Sequence, residues 1–173
     1  MNIFFIDKCP IKSAQQLCDK HVVKMVLETA QMCSTAMRHW DLDEGLKYIY
    51  KSAYRNHPMT VWVRANIHNL SWAVWHGISI GTEYTYRFGK IHKSSKVLEE
   101  IRDRLVEFKT PDTEQYCLYL SYNLHDEPPQ CMPDDFKCDD YVEAYRAYYR
   151  KGKAHILNWT FREQPDCRHG ILW

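Results

Sequence analysis

One stretch, from Asp19 to Arg38, constrains the fold more than any other part of the chain. On a helical wheel at about 100° per residue, its apolar and small residues cover well over half of the circumference. The predicted helix is therefore buried on most of its sides. The remaining polar residues have the i, i+3, i+7, i+10, i+14 spacing that stacks side chains along one helix face, and they are His21, Lys24, Glu28, Gln31 and Thr35.

This polar stripe has two interpretations. On an ordinary amphipathic helix it would be a solvated surface, and the same side chains could also form a buried salt-bridge network without a catalytic role. The stripe is narrow, however, and ionisable groups among apolar neighbours tend to have shifted pKa values. Because a carboxylate beside an imidazole and an ammonium group suits acid and base chemistry, we predict that Glu28, His21 and Lys24 are candidate catalytic residues.

The composition fits one soluble domain. A chain of 173 residues, 45% of them apolar, can bury a core without disulfides or metals. The net charge of +1 neither favours nor excludes nucleic acid, so any basic surface must be local. The odd count of seven cysteines and the short apolar run Ile3–Ile6 predict reduced thiols, no signal peptide and a cytoplasmic location. No run approaches the roughly 20 apolar residues of a membrane span.

The rest of the chain predicts a mainly α-helical, compact single domain over residues 1–173, with a short extended segment at the N-terminus. Ser13 and Gln16 form a capping box for a helix that starts after Pro10. A long helix from Met59 to about Tyr86 contains two glycines, which indicate a kink or a close helix crossing. Further predictions are a helix over Ser95–Phe108, a Pro-rich crossing loop over 123–139 and a last helix from Asp139 or Asp140 to about Asn158.

Two further groups could bind phosphate. Arg55, Asn56 and His57 precede Pro58 at a helix start, where free N–H groups and the helix dipole favour an anion. Arg64 follows on roughly the same side, and a capping turn is the alternative interpretation. We predict a nucleic-acid surface that comprises Gln31, Arg55, Asn56, His57, Arg64 and Lys153.

Lys153 belongs to a segment in which tyrosines precede basic residues. Aromatic and cationic side chains together suit base stacking and backbone contact, although tyrosines at i, i+4 and i+7 also pack on a core. We favour the core for Tyr141, Tyr145 and Tyr148 and leave the basic end open.

Other site chemistries lack a matching motif. Cys9, Cys18 and His21 are near in sequence, as are the pairs Cys131/Cys138 and Cys167/His169, but none has the spacing of a zinc site. A glycine-rich phosphate loop and a Gly-x-Ser-x-Gly elbow are also missing from the sequence. We therefore predict neither a metal nor a cofactor.

Several motifs resemble a widespread family of small phage and viral proteins. They are Met-Asn-Ile-Phe at the start, Cys18–Gln31, Asn56-His57-Pro58 with Trp62-Val63-Arg64, Tyr84–Lys90, Met132–Lys137 and Ala144–Tyr149. The resemblance spans nearly the whole chain and implies a virus-encoded protein that acts in the infected host cell, but it names no activity.

A second resemblance suggests a mechanism. Leu17–Glu28, with Asp19, His21 and Glu28 in step, is similar to the first helix of endonuclease V-type pyrimidine-dimer DNA glycosylases, which are small all-helical enzymes. In that family the carboxylate that matches Glu28 is catalytic, and the mature N-terminal amine attacks C1′ of the sugar to form a Schiff base. This chain differs, because Leu27 and Gln31 occupy two arginine positions of the family.

The N-terminus differs as well. Asn2 is larger than the residues after which Met is normally removed, so the nucleophile would be the Met1 amine or would be missing. Our first hypothesis is a virus-encoded DNA glycosylase, with or without AP-lyase activity, that excises damaged or modified bases with Glu28 as its essential carboxylate. The alternatives are a non-catalytic protein that binds nucleic acid or a host factor, and a transferase or hydrolase of modified nucleotides.

Overall fold

The computed structural model describes residues 1–107 and 126–163 of the chain. In these two ranges it contains α-helices, short helical turns and no β-strand, which confirms the predicted all-helical class. Whether one domain extends over all 173 residues stays a prediction. The helices are α1 (Pro10–Gln15), α2 (Asp19–His39), α3 (Pro58–Val63), α4 (Ile67–Phe88), α5 (Ser95–Glu107) and α6 (Tyr141–Ala147).

Helices α2 and α4 form the centre of the fold, and α1, α3 and α5 pack around them. The prediction of a long, mostly buried helix at α2 is confirmed, since thirteen of its residues are buried. Its apolar face is narrower than predicted, because the side chains of Val23 and Leu27 are 46% and 40% exposed. Both residues flank Lys24, whose side chain is also exposed.

The N-terminal segment Ile3–Ile6 is extended and lies inside the core rather than at its edge. Phe5 stacks on Trp72 of α4 with ring centres 4.4 Å apart, and Phe4 stacks on His21 of α2 at 4.3 Å. The segment therefore fills the space between the two central helices, and its aromatic rings fix its position along them.

Two helix starts differ from the prediction. Pro10 is the first residue of α1, where its missing N–H is no loss. Ser13 does not cap a helix, because its hydroxyl donates to the Phe4 carbonyl and accepts from the Ile6 N–H. The predicted helix from Met59 to Tyr86 is two helices, α3 and α4, because the Asn66 side chain caps a new start by accepting from the Asn69 N–H at 2.9 Å.

The end of the described chain is shorter and less regular than predicted. Asp140 caps α6 as expected, with its carboxylate accepting from the Val142 and Glu143 N–H groups. The α-helix ends at Ala147, however, and continues as a π-helical turn over Tyr148–Gly152 and a 3-10 turn over Ala154–Ile156. The Pro-rich crossing segment is irregular from residue 126 onward, apart from a 3-10 turn at Asp134–Phe136.

A buried ionic network joins the start of α2 to α4 and to the C-terminal part of the described chain. Arg87 is fully buried and donates to the carboxylates of Glu83 and Asp19 and to the carbonyls of Gln15 and Leu17. Asp19 also accepts from the N–H and hydroxyl of Thr160. These buried charges are paired and hydrogen-bonded, which compensates for their loss of hydration. The same hydrogen bonds satisfy backbone carbonyls at the end of α1 and connect it to the start of α2.

The segment Glu114–Tyr122, the predicted end of α5 at Thr110-Pro111 and the tail with Pro165 and Gly170 lie outside the described residues. Among the helices of the described ranges, none is both long and apolar enough to cross a membrane.

Gly77 and Gly81 mark a close helix crossing, as the sequence indicated. A Cβ at Gly77 would lie 2.7 Å from Cδ1 of Leu98 and 2.9 Å from Cγ2 of Thr29, whereas a Cβ at Gly81 would meet only the Ser95 side chain at short range. We expect Gly77→Ala to destabilise the fold by about 1–3 kcal/mol through overpacking. Gly81→Ala should cost less, because the Ser95 hydroxyl can rotate away. Urea unfolding of both variants measures the difference, and equal costs would contradict the predicted crossing geometry.

His76 should make the fold acid-sensitive. Burial lowers the pKa of its imidazole from 6.5 to about 4, and its Nδ1 lies 3.0 Å from the Pro10 carbonyl oxygen. Below about pH 6.5 the unfolded chain therefore binds a proton that the folded chain does not, so stability falls as the pH approaches 4. His76→Gln should reduce this slope by up to about 1.4 kcal/mol per pH unit. Urea unfolding between pH 7 and 5 tests this, with His155→Gln as an exposed control. An unchanged slope for His76→Gln would refute it.

Candidate active site

Glu28 lies where the polar stripe of α2 meets the N-terminus of the chain. Its Oε2 accepts a hydrogen bond from the backbone N–H of Asn2 at 3.0 Å and lies 3.8 Å from the Met1 amino nitrogen. Its Oε1 pairs with the Lys24 ammonium group at 3.0 Å. The Glu28 side chain is only 12% exposed, whereas that of Lys24 is 66% exposed. A nearly buried carboxylate therefore has an amine on one side and a solvated cation on the other.

The position of the terminus follows from the packing behind it. The Met1 side chain is buried, and the Thr60 hydroxyl of α3 donates to its sulfur atom at 3.7 Å. Because the Ile3–Ile6 segment is buried in the core, Met1 and Asn2 lie beside the third turn of α2. Chain termini are usually mobile. Here Thr60 holds the Met1 side chain, and Glu28 holds the backbone N–H of Asn2.

Asn2 is clamped by residues from the far end of the sequence. Its side-chain Nδ2 donates to the Cys131 carbonyl at 3.0 Å, and its Oδ1 accepts from the Tyr145 hydroxyl at 3.1 Å. The same hydroxyl lies 2.9 Å from the Pro129 carbonyl oxygen. The segment from 129 to 131 and helix α6 therefore set the orientation of the residue that donates to Glu28.

The His57 imidazole lies close enough to Glu28 and to the Met1 amine for both charges to shift its pKa. Burial lowers the pKa of its imidazole, the positive Met1 amine lowers it further, and the Glu28 carboxylate opposes both effects. Its Nδ1 accepts from the Met59 N–H at 3.2 Å, which caps α3 as predicted and leaves the proton on Nε2. The neutral ring offers an N–H donor instead of a permanent charge.

An open cleft with a volume of about 960 Å³ lies next to His57. Residues 127–133, Lys137 and Tyr148 form its other walls. Burial raises the pKa of the Cys131 thiol at its base, so this thiol stays protonated at neutral pH. Four prolines give the cleft a stiff rim, because each of them fixes its own backbone φ angle.

The third predicted catalytic residue, His21, faces the interior. Its Nδ1 lies 2.7 Å from the Tyr149 hydroxyl, and its ring stacks on Phe4. Burial, helped by the charges of Lys153 and Lys24, lowers the pKa of His21 to about 4. The imidazole is therefore neutral and holds the N-terminal segment against α2. The structure does not test a catalytic role for it.

The predicted nucleic-acid residues lie in separate places. Arg55 and Asn56 are exposed, and the Arg64 guanidinium donates to the Arg55 carbonyl at 2.6 Å, so these residues form one group before and after α3. The Lys153 ammonium lies over the ring of Tyr148, 4.9 Å from its centre, and so beside the cleft. Gln31 is half-buried one turn beyond Glu28. Whether any of them binds DNA stays a prediction.

Sequence reasoning missed the residues that hold the site together. Tyr141 and Tyr145 are buried as predicted and Tyr148 is half-buried, but the buried Tyr149 and its hydrogen bond to His21 were not predicted. The contacts of Asn2 with Cys131 and Tyr145 span more than a hundred residues. A pairing over that distance leaves no periodic signal in a single sequence.

The thiol and imidazole side chains of the described residues do not form a metal site. In residues 1–107 and 126–163, no group of three or more His, Cys, Asp or Glu side chains could hold a metal ion. The five cysteines in these ranges are free thiols, and Cys167 and His169 lie outside them.

Comparison with known proteins assigns a family to this arrangement. A family model described as pyrimidine dimer DNA glycosylase matches residues 1–108, which include Met1, Asn2, Lys24, Glu28 and His57. No curated protein and no solved structure matches the chain. Since the match covers more than half of the 173 residues, the chain belongs to the pyrimidine dimer DNA glycosylase family of enzymes.

Proposed function

We propose that this protein excises pyrimidine dimers from DNA, with Glu28 as the essential carboxylate and the Met1 amine as the nucleophile. One observation carries the proposal: a nearly buried carboxylate lies 3.8 Å from an amino group in a chain of this family. In this proposal the damaged nucleotide enters the cleft beside His57, a residue close enough to Glu28 to respond to its charge.

Glu28 has two tasks in this mechanism. An amine attacks only after it loses a proton, and the carboxylate is close enough to accept that proton, directly or through one water molecule. As the bond between C1′ and the base breaks, the sugar gains positive charge. A carboxylate fixed by the Asn2 N–H and by Lys24 stabilises that charge without reorganising.

The amine completes the reaction. It forms a bond to C1′, and the base leaves with the electron pair of the glycosidic bond and takes up a proton. Opening of the sugar ring then gives a Schiff base, from which elimination of the 3′ phosphate breaks the strand. The lyase step is part of the proposal and rests on the position of the Met1 amine.

Cationic side chains around this pair would hold the DNA backbone. Two arginine positions of the related glycosylases are Leu27 and Gln31 here, so the phosphate contacts must come from other residues. Lys24 is two-thirds exposed beside the carboxylate, and Lys153 lies by the cleft. Arg55 and Arg64 add positive charge before and after α3, so the proposed phosphate contacts come from separate places on a chain of low net charge.

The proposal extends to the origin of the chain. The motif resemblance over nearly the whole sequence supports a virus-encoded enzyme that repairs DNA inside the infected cell. A repair glycosylase needs only damaged DNA and water, so no cofactor enters this mechanism.

Replacing the carboxylate tests the central residue. Glu28→Gln should lower base release from an oligonucleotide that contains one pyrimidine dimer by at least about 100-fold, because the amide can neither accept the proton nor stabilise the cationic sugar. Glu99→Gln on the exposed face of α5 is the matched control. Thermal unfolding confirms that both variants fold. A Glu28→Gln protein that is as active as the control would exclude the mechanism.

Borohydride reduction tests the nucleophile. With dimer-containing DNA, the wild-type protein should yield a covalent adduct, and mass spectrometry of the digested adduct should locate it on the Met1 amine. The only other amine placed against Glu28 in the described ranges is Lys24, and Lys24→Arg keeps the charge but cannot form a Schiff base. The adduct should therefore persist in Lys24→Arg. An adduct on Lys24 would contradict the assignment of the amine, and base release without any adduct would contradict the lyase step.

A further inference from the structure

Tyr54 is an exposed aromatic residue beside the candidate site. Its side chain is 67% exposed, and its backbone has a φ of +49°, a left-handed conformation that bulky residues rarely adopt. In residues 1–107 and 126–163 the side chain makes no hydrogen bond, ring stacking or ion contact. Strained residues of this kind occur mainly at functional sites, where the surrounding structure holds them in place.

The backbone around Tyr54 is held on both sides. The Ala53 N–H donates to the Thr35 hydroxyl at 3.0 Å, and that hydroxyl is also within hydrogen-bond distance of the Ala53 carbonyl. The Tyr54 carbonyl accepts from the His57 N–H at 3.0 Å. The next residue is fixed as well, since the Arg55 carbonyl accepts from Arg64. A ring on a fixed backbone loses less conformational freedom when it binds a ligand than a ring on a mobile loop does.

The anchors of this loop place Tyr54 near Glu28. Thr35 is seven residues beyond Glu28 on the same face of α2, which is about 10 Å along the helix axis. On the other side, the His57 ring is close enough to respond to the charge of Glu28.

We infer that Tyr54 is a wedge that inserts between base pairs of the duplex next to the damaged nucleotide. The inference rests on the proposed glycosylase function, because an enzyme that reacts at C1′ has to open the stack at that nucleotide. Side chains that enter a base step unstack it and bend the duplex, and every base offers a face on which an aromatic ring can stack. Arg55, the next residue of the loop, is exposed and can contact a phosphate. Tyr54 is a positioning residue and does not touch the reacting atoms.

Binding to an uncleavable substrate tests the wedge independently of catalysis. The probe is a duplex with a tetrahydrofuran abasic analogue and a neighbouring 2-aminopurine, whose fluorescence rises when it unstacks. The wild-type protein should raise the signal. Tyr54→Ala should bind about tenfold more weakly and leave the signal low, while Tyr54→Phe should behave as wild type because it keeps the ring. The salt dependence of binding should not change, since no phosphate contact is lost.

Two further variants control for folding and for exposed aromatic area. Tyr54→Gly adopts a positive φ without strain, so it should melt no lower than Tyr54→Ala and show the same DNA defect. Phe161→Ala removes another exposed ring at a positive φ, next to the Asp19 network, and should bind DNA as wild type.

Three outcomes would overturn the inference. Tyr54→Ala could keep the affinity and the signal, it could weaken the binding of single-stranded DNA equally, or the wild-type protein could leave 2-aminopurine stacked. Failure of the proposed function would appear instead as dimer cleavage that does not depend on Glu28.

Discussion

The burial of the extended N-terminal segment is the interaction on which the rest of the structure depends. Phe4 and Phe5 together contact aromatic rings of α2, α4, α6 and the π-helical turn. Burying an aromatic side chain stabilises a fold by about 1.5–3 kcal/mol, so two such residues resist displacement of the segment. The backbone N–H of Asn2 then donates to the carboxylate of Glu28. The packing of Phe4 and Phe5 in the core thus fixes the position of the Met1 amine.

A second constraint, the buried ionic network, holds the first turn of α2. Arg87 and Asp19 connect the first turn of α2 to α4 and to residues 158–160. Since α2 is held at Asp19 by this network and at His21 and Glu28 by the N-terminal segment, the polar stripe has a fixed position relative to that segment. The proposed mechanism requires such preorganisation, because the charges then need no rearrangement when the sugar becomes cationic. The ionic network acts on the candidate site through the position of α2 and not through direct contact with Glu28.

Local sequence signals predicted the parts of the fold that local physics determines. The burial of α2, the caps at His57 and Asp140 and the glycine crossing of α4 all follow from periodicity or from residue type at a helix end. The break between α3 and α4 was missed because an asparagine cap inside an apolar pattern resembles an ordinary polar position. The role of Ser13 was predicted wrongly because its hydroxyl binds the backbone of Phe4, outside the helix.

For the candidate site, the sequence pointed to the Lys24 and Glu28 pair. It could not reveal the Tyr145 clamp on Asn2 or the burial of His21, since both depend on contacts between the two ends of the chain.

The cleft has a consequence for how this enzyme can change. The carboxylate and the amine lie in the part of the chain that matches the family, whereas residues 127–133, Lys137 and Tyr148 of the cleft wall lie beyond residue 108. Under the proposed function, chemistry and lesion selection belong to different stretches of one polypeptide. Substitutions in the wall would then alter which damaged nucleotide fits and leave the Glu28 and Met1 pair unchanged. Tyr145 lacks this freedom, because its single hydroxyl touches both the wall at Pro129 and the N-terminus at Asn2. A substitution at Tyr145 would therefore alter the cleft wall and the position of the N-terminus together.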